Sequence, residues 1–139
     1  MNLVNIIHAI VLIPRARKHL FLVQKQLENE SYKKVLKNDI PTPFKKTPIP
    51  ATIKSYFWAC RTIKACQCLS RSIALFQALK KMGYGVKHCI GVNKREGTLA
   101  AHAWVELNGE PLNEAKDLTD RFIVLKSSKE EIIDLNHNL

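Results

Sequence analysis

The sequence predicts an α+β fold, with helices in roughly the first two thirds of the chain and an antiparallel sheet after them. Two patterns carry this prediction. Apolar residues recur at helical spacing up to Met82-Gly83, a pair that suits a helix end. Strand-like runs separated by turn residues follow, and Asn108-Gly109 is a strong signal for a hairpin.

A chain of 139 residues is long enough for one domain with a core and a cleft. We divide it into a helical N-terminal segment (1–37), a proline-rich connector (38–51), a folded core (52–126) and a polar tail (127–139). Four prolines between residues 41 and 50 exclude a helix interior or a central strand there. Thr52 is predicted to cap the helix that follows.

The N-terminal segment predicts two helices that meet at Pro14, the first of them apolar over much of its circumference. Such a pair is expected in the core, with His8 packed on it, rather than as a docking surface. The apolar run is far shorter than the roughly 20 residues needed to span a bilayer, and it lacks secretory features. We therefore predict no membrane span.

Four cysteines without an export signal favour free thiols in a reducing, cytoplasmic setting: Cys60, Cys66, Cys68 and Cys89. Cys66 and Cys68 are separated by one residue and lack the paired knuckles of zinc sites, so no metal is predicted. Cys68 directly precedes an apolar stripe of helical spacing. The free N–H groups and the dipole at a helix start favour a thiolate.

A candidate base follows on the predicted strand Leu99–Leu107. His102 shares a face with Trp104 and Glu106, which is an unusual lining for a core. The order of cysteine at a helix start, then histidine, then an acid or amide is typical of thiol hydrolases.

A third strand is expected to return from the hairpin through Leu112 and Glu114, and its register leaves the third member open. A two-residue loop pairs His102 with Ala115 and places Asn113 on the His102 face. A three-residue loop with a glycine bulge places Glu114 there instead. A last strand, Phe122–Leu125, is expected to follow, and His137 near the terminus is a weak candidate.

Several segments closely resemble the transglutaminase-like leader peptidases of lasso-peptide biosynthesis. They read Cys68-Leu-x-Arg-Ser-x-Ala-Leu, Leu79-x-x-x-Gly83, Ile90-Gly-Val and Ala101-His-Ala-Trp-Val-Glu-x-x-Gly109. The resemblance covers residues 54–126 and implies a papain- and transglutaminase-like core, with the nucleophile at a helix N-terminus packed on an antiparallel sheet.

By this resemblance Cys68 is the nucleophile, His102 the base and Glu114 the third member, where the family commonly carries aspartate. The Cys68 backbone N–H is one expected oxyanion donor, and Gln67 and Trp58 are candidates for the second. The resemblance implies no cofactor. It implies a precursor peptide as substrate, a separate leader-recognition protein and a separate ATP-dependent cyclase as partners.

Two other functions fit the same residues, namely an acyl transferase of transglutaminase type and a non-catalytic leader-binding scaffold. The net charge of +10 also suits phosphates, an anionic membrane surface or an acidic peptide. Because the aromatic residues do not interleave with the basic ones and no nucleic-acid motif is present, we predict no nucleic-acid partner.

Overall fold

The computed structural model describes residues 1–39, 45–95, 98–114 and 117–127. Helices and strands in these ranges are α1 (Leu3–Asn29), α2 (Tyr32–Lys37), α3 (Ile49–Arg61), α4 (Cys68–Lys81), β1 (Val86–Arg95), β2 (Thr98–Leu107), β3 (Glu110–Pro111), α5 (Leu118–Arg121) and β4 (Ile123–Ser127). The predicted α+β class is confirmed. Outside the described ranges lie part of the predicted connector (40–44), residues 96–97 between β1 and β2, Ala115, Lys116, and residues 128–139 with His137.

The four strands form one antiparallel sheet in the order β3-β2-β1-β4. Helix α4 packs on β1 and β2, while α1 and α3 pack on each other and on α4. Leu20, Tyr56, Ile73, Leu79 and Val105 belong to the buried core between these layers. A smaller cluster of Cys89, Trp104 and Leu118, with Phe122 packed against it, is separate from this core.

The predicted break at Pro14 is wrong, because α1 runs through it as one helix. Proline removes one backbone hydrogen bond from a helix interior and normally costs about 3 kcal/mol. Buried residues lie on both sides of Pro14, with Ala9 before it and Ala16, Leu20 and Val23 after it. Continuing the helix keeps all of these against the core, and this burial offsets the lost hydrogen bond.

The predicted burial of the first helical turns is also wrong. Ala9 is the one buried residue in the range 2–13, and His8 is exposed. Large apolar side chains here face water instead, at 51–70% exposure: Leu3, Val4, Ile7, Ile10 and Val11. No helix of the described residues has the length and apolar character required to cross a membrane.

Helix α3 begins at Ile49, earlier than the predicted cap at Thr52. Pro50 fits there because the first helical turn needs no N–H bond. Thr52 is buried inside the helix, where its hydroxyl donates to the Pro48 carbonyl at 2.8 Å and contacts the Thr47 hydroxyl at 2.6 Å. Its side chain therefore fastens the preceding segment to the helix.

A buried polar network joins the helices α1, α2, α3 and α4. The Gln77 amide donates to the Val35 carbonyl at 2.6 Å, which turns its oxygen toward His19 Nε2 at 2.8 Å. His19 Nε2 must then carry the hydrogen, and Nδ1 accepts from the Tyr56 hydroxyl at 2.6 Å. Burial lowers the pKa of His19, so the neutral ring that this network requires is favoured.

The prediction of four free thiols is wrong, because two of the cysteines are paired at the loop between α3 and α4. Cys60 and Cys66 form a disulfide, with their Cα atoms 5.5 Å apart, whereas Cys68 and Cys89 are free. Ala65 adopts a left-handed conformation with φ of 65°, and this turn folds the chain back on the end of α3. The disulfide thereby closes the loop that leads into α4.

Candidate active site

Cys68 is the first residue of α4, as the apolar stripe after it predicts. Gln67 before it is extended, with φ of −117° and ψ of 172°, and provides no side-chain cap. The free N–H groups of the first turn therefore lie beside the Cys68 side chain, which is partly buried. This position favours the thiolate form of Cys68.

His102 lies on β2, opposite Gly91 of β1. Its ring stacks on that of Trp104, with centroids 6.0 Å apart and planes at 19°, and also contacts Phe122 at 5.6 Å. Gly91 makes room for this arrangement, since a Cβ there would lie 2.8 Å from Trp104 Cη2. The aromatic contacts hold the imidazole in a defined orientation.

Glu114 reaches His102 by a route that strand alternation does not predict. The Asn108-Gly109 turn has two residues, both with positive φ, and pairs Leu107 with Glu110. Strand β3 ends at Pro111, so the predicted strand through Glu114 is wrong. Asn113 is left-handed, with φ of 54°, and turns the chain so that Glu114 Oε1 lies 2.9 Å from His102 Nε2.

The short β3 also leaves a backbone donor for the nucleophile. Leu112 N–H donates to the Val105 carbonyl, so the backbone groups of Val105 point toward the β3 side of β2. Because backbone groups alternate in direction along a strand, those of Ala103, two residues earlier, point to the same side. β3 pairs only with Glu106 and Leu107. The Ala103 N–H therefore reaches the Cys68 sulfur and hydrogen-bonds it.

The electrostatics of the site favour an ion pair between Cys68 and His102. Hydrogen bonds that the ring donates to Cys68 and Glu114 raise the pKa of His102 to about 9. The pKa of Cys68 is lowered, mainly by its hydrogen bond with His102 and further by the Ala103 N–H and the charge of Arg71. At neutral pH the arrangement therefore favours a thiolate beside an imidazolium.

Arg71, one helical turn after Cys68, adds a positive charge that the sequence analysis did not assign to the site. Its guanidinium lies on the Phe57 ring, 3.9 Å from the centroid. Arg71, Phe57 and Glu114 line a cavity of about 10 Å³, space for roughly one water molecule. The charge of Arg71 acts on both Glu114 and Cys68.

The structure thus brings together Cys68, His102 and Glu114, but not the other predicted site residues. Asn113 is exposed, and its Oδ1 accepts from Lys54 Nζ at 2.8 Å. The exposed Gln67 side chain makes no hydrogen bond with the described residues, and Trp58 on α3 is absent from the lining of the cavity.

Three features of the site were missed by sequence reasoning: Arg71, Phe122 and the Ala103 N–H. The spacing of Arg71 from Cys68, three residues on one helix, is the one signal that could have placed it on the same face. The exposure of the Ala103 N–H to Cys68 depends on where β3 ends, and the position of Phe122 depends on where α5 ends. Among the described residues, no three His, Cys, Asp or Glu side chains come close enough to hold a metal ion.

Comparison with protein families gives a match to the transglutaminase-like superfamily over residues 29–127. This range contains α3, α4 and the four strands, and hence every residue of the candidate site. No curated protein and no solved structure matches the chain.

Proposed function

Since the chain belongs to the transglutaminase-like superfamily, whose members are typically cysteine-dependent enzymes, we propose that it is a cysteine peptidase that removes the leader from a lasso-peptide precursor. One observation carries the proposal, namely the hydrogen-bonded row of Cys68, His102 and Glu114 at the start of α4. The lasso-peptide assignment rests on the motif resemblance around Cys68 and His102.

The proposed reaction begins with the Cys68 thiolate attacking the carbonyl carbon at the junction of leader and core. A C–S bond forms, and the carbonyl oxygen takes the negative charge, which the N–H of Cys68 would stabilise. Imidazolium His102 gives its proton to the amine of the core peptide, which leaves as the C–N bond breaks. The leader remains attached to Cys68 as a thioester.

Water completes the proposed cycle. His102, now neutral, takes a proton from water, and the hydroxide attacks the thioester carbonyl. The C–S bond breaks, and the leader departs with a new carboxyl group that ionises by releasing its proton to solvent. Cys68 returns to the thiolate beside imidazolium His102. Glu114 keeps the ring oriented through Nε2, which leaves Nδ1 for the exchange of protons with Cys68.

Alkylation tests the nucleophile without a substrate. Iodoacetamide at neutral pH should label Cys68 in preference to Cys89, which is buried and inert, and His102→Ala should slow this labelling. Mass spectrometry after digestion locates the modified residue. Equal labelling of both cysteines, or labelling unaffected by His102→Ala, would remove the basis for the proposed ion pair.

Cleavage is then tested with precursor peptides, a leader-recognition protein and a cyclase with ATP, because we expect the chain alone to be weakly active. Cys68→Ala should abolish the appearance of free leader, and Cys89→Ala is the matched control that should retain it.

A labelled primary amine distinguishes hydrolysis from acyl transfer. If the label is incorporated at the new C-terminal carboxyl of the leader, the chain is an acyl transferase and not a peptidase. Leader binding without cleavage by the unmodified chain would indicate a scaffold.

A further inference from the structure

Helix α1 carries a second apolar face that points away from the core. Ala9, Ala16, Leu20 and Val23 form its buried face. The opposite side, which we call the outer face, consists of seven exposed apolar residues and two lysines: Leu3, Val4, Ile7, Ile10, Val11, Phe21, Leu22, Lys18 and Lys25. Val4, Val11, Lys18 and Lys25 are spaced seven residues apart and so lie along one line of the helix.

The outer face is too large to be a chance exposure of single side chains. Its seven apolar residues are 38–70% exposed and extend along most of a 27-residue helix. Contiguous apolar patches of this kind mark sites of interaction with a protein or a membrane. The outer face is therefore a candidate site for contact with a protein or a membrane.

Charge indicates the chemistry of that occupant. The first acidic residue of the chain is Glu28, so residues 1–27 carry only basic charges, on Arg15, Arg17, Lys18 and Lys25. Lys18 and Lys25 are exposed on the outer face itself. A face that is apolar in its first turns and carries lysines further along the same line matches an anionic lipid surface, where apolar side chains enter the acyl region and lysines reach the headgroup phosphates.

We propose that α1 lies in the plane of an anionic membrane surface, with the outer face turned toward the lipid. The turns from Leu3 to Val11 enter the interface, and Lys18 and Lys25 contact phosphates. This geometry differs from crossing the bilayer, for which the described helices lack the required length and apolar character. It is independent of the proposed peptidase activity, because none of these residues belongs to the candidate site.

Two other occupants fit the outer face less well. A second copy would bring another Lys18 and Lys25, and another net charge of +10, against the first. The segment 128–139 has only four large apolar residues, Ile132, Ile133, Leu135 and Leu139, to cover the seven of the outer face.

Co-sedimentation with vesicles tests the proposal with the full chain. The protein should pellet with vesicles of equimolar phosphatidylglycerol and phosphatidylcholine, and should remain in solution with phosphatidylcholine alone. Ile7→Asp with Val11→Asp should weaken binding at least about tenfold, and so should Lys18→Glu with Lys25→Glu. Thermal unfolding and Cys68 alkylation confirm that each variant is folded.

The matched control is Ile123→Asp with Leu125→Asp on β4, where the exposure of 56–65% is close to that of the outer face. This variant adds the same charges and should keep full binding. Three results would overturn the proposal. They are absence of vesicle binding by the unmodified chain or full binding by the outer-face variants, a dimer in light scattering that Ile7→Asp abolishes, and vesicle binding that appears only after residues 128–139 are deleted.

Discussion

Replacing Glu114 with glutamine tests whether a carboxylate or merely a hydrogen-bond acceptor is needed beside His102. The substitution keeps the side-chain length and one acceptor oxygen but removes the charge. Glu114 Oε1 is 2.9 Å from His102 Nε2, and the two side chains are 14% and 20% exposed. Solvent therefore screens this interaction only weakly, and its loss should be visible in both pKa and rate.

The expected size follows from this single charge-assisted hydrogen bond. Such bonds contribute about 1.5–3 kcal/mol, and about 1.4 kcal/mol corresponds to a factor of ten in rate. We expect Glu114→Gln to lower kcat/KM for the precursor by about 10- to 100-fold. The pKa of His102, raised to about 9 in the native protein, should fall by at least about one pH unit.

The assay is the rate of Cys68 alkylation by iodoacetamide from pH 4 to about pH 10, a range that covers both expected titrations. The native protein should keep its ion pair up to about pH 9, where His102 loses its proton. In Glu114→Gln that loss should move to lower pH, because the charge that favours the imidazolium is gone. The pKa of Cys68 should rise, since a neutral imidazole stabilises the thiolate less.

Asn113→Gly is the matched control, because glycine accepts the positive φ of this position while losing the contact with Lys54. It should alkylate and cleave like the native protein. If Glu114→Gln behaves like the native protein and Asn113→Gly loses activity, our account of the third residue is wrong. The alkylation and cleavage rates of Glu114→Asp should fall between those of the native protein and Glu114→Gln, since aspartate keeps the charge but has the shorter side chain.

Three further results are expected. Burial lowers the pKa of His88 from 6.5 to about 4, so as pH falls through this range the unfolded chain binds a proton at His88 before the folded chain does. The free energy of unfolding should therefore drop by up to about 3 kcal/mol between pH 6.5 and about pH 4. His88→Gln should make the free energy of unfolding less dependent on pH in this range. Reduction of Cys60–Cys66 should lower unfolding free energy by about 2 kcal/mol in melts with and without dithiothreitol, whereas the double serine variant should not respond. Gly91→Ala should cost about 1–3 kcal/mol in denaturant unfolding and slow alkylation, because its Cβ would displace Trp104.

Local sequence signals predicted the features that depend on a few neighbouring residues. The stripe after Cys68 and the pair Met82-Gly83 predicted α4, and the helix ends where Tyr84 N–H bonds the Leu79 carbonyl. The pair Asn108-Gly109 predicted the hairpin, although it left the length of the loop open. These features form because propensity, spacing and capping residues lie within one or two turns of each other.

The place of Glu114 could not follow from alternation, because alternation holds only while a strand continues. β3 ends at Pro111, and Asn113 then turns the chain by taking a left-handed conformation, which asparagine adopts more readily than most residues. The sequence contained this signal, but the tertiary position of Lys54, which holds the Asn113 side chain, was needed to interpret it.

The errors at the N-terminus and at the disulfide come from longer-range packing. Pro14 breaks isolated helices, yet burial of Ala9 before it and Leu20 after it keeps α1 continuous. Cys60 and Cys66 approach because Ala65 turns the loop, and their spacing alone does not distinguish a disulfide from two free thiols. In each case the deciding contact lies outside the local pattern.

The polar network in the helical half constrains how relatives of this chain can diverge. Each hydrogen bond of Tyr56, His19 and Gln77 has one allowed direction, fixed at one end by the Val35 carbonyl. A change at one position leaves a buried partner unsatisfied, a loss of about 1–3 kcal/mol. We expect homologous sequences to keep the three residues as a set or to exchange them together for apolar ones, so that an alignment would reveal them as a covarying trio.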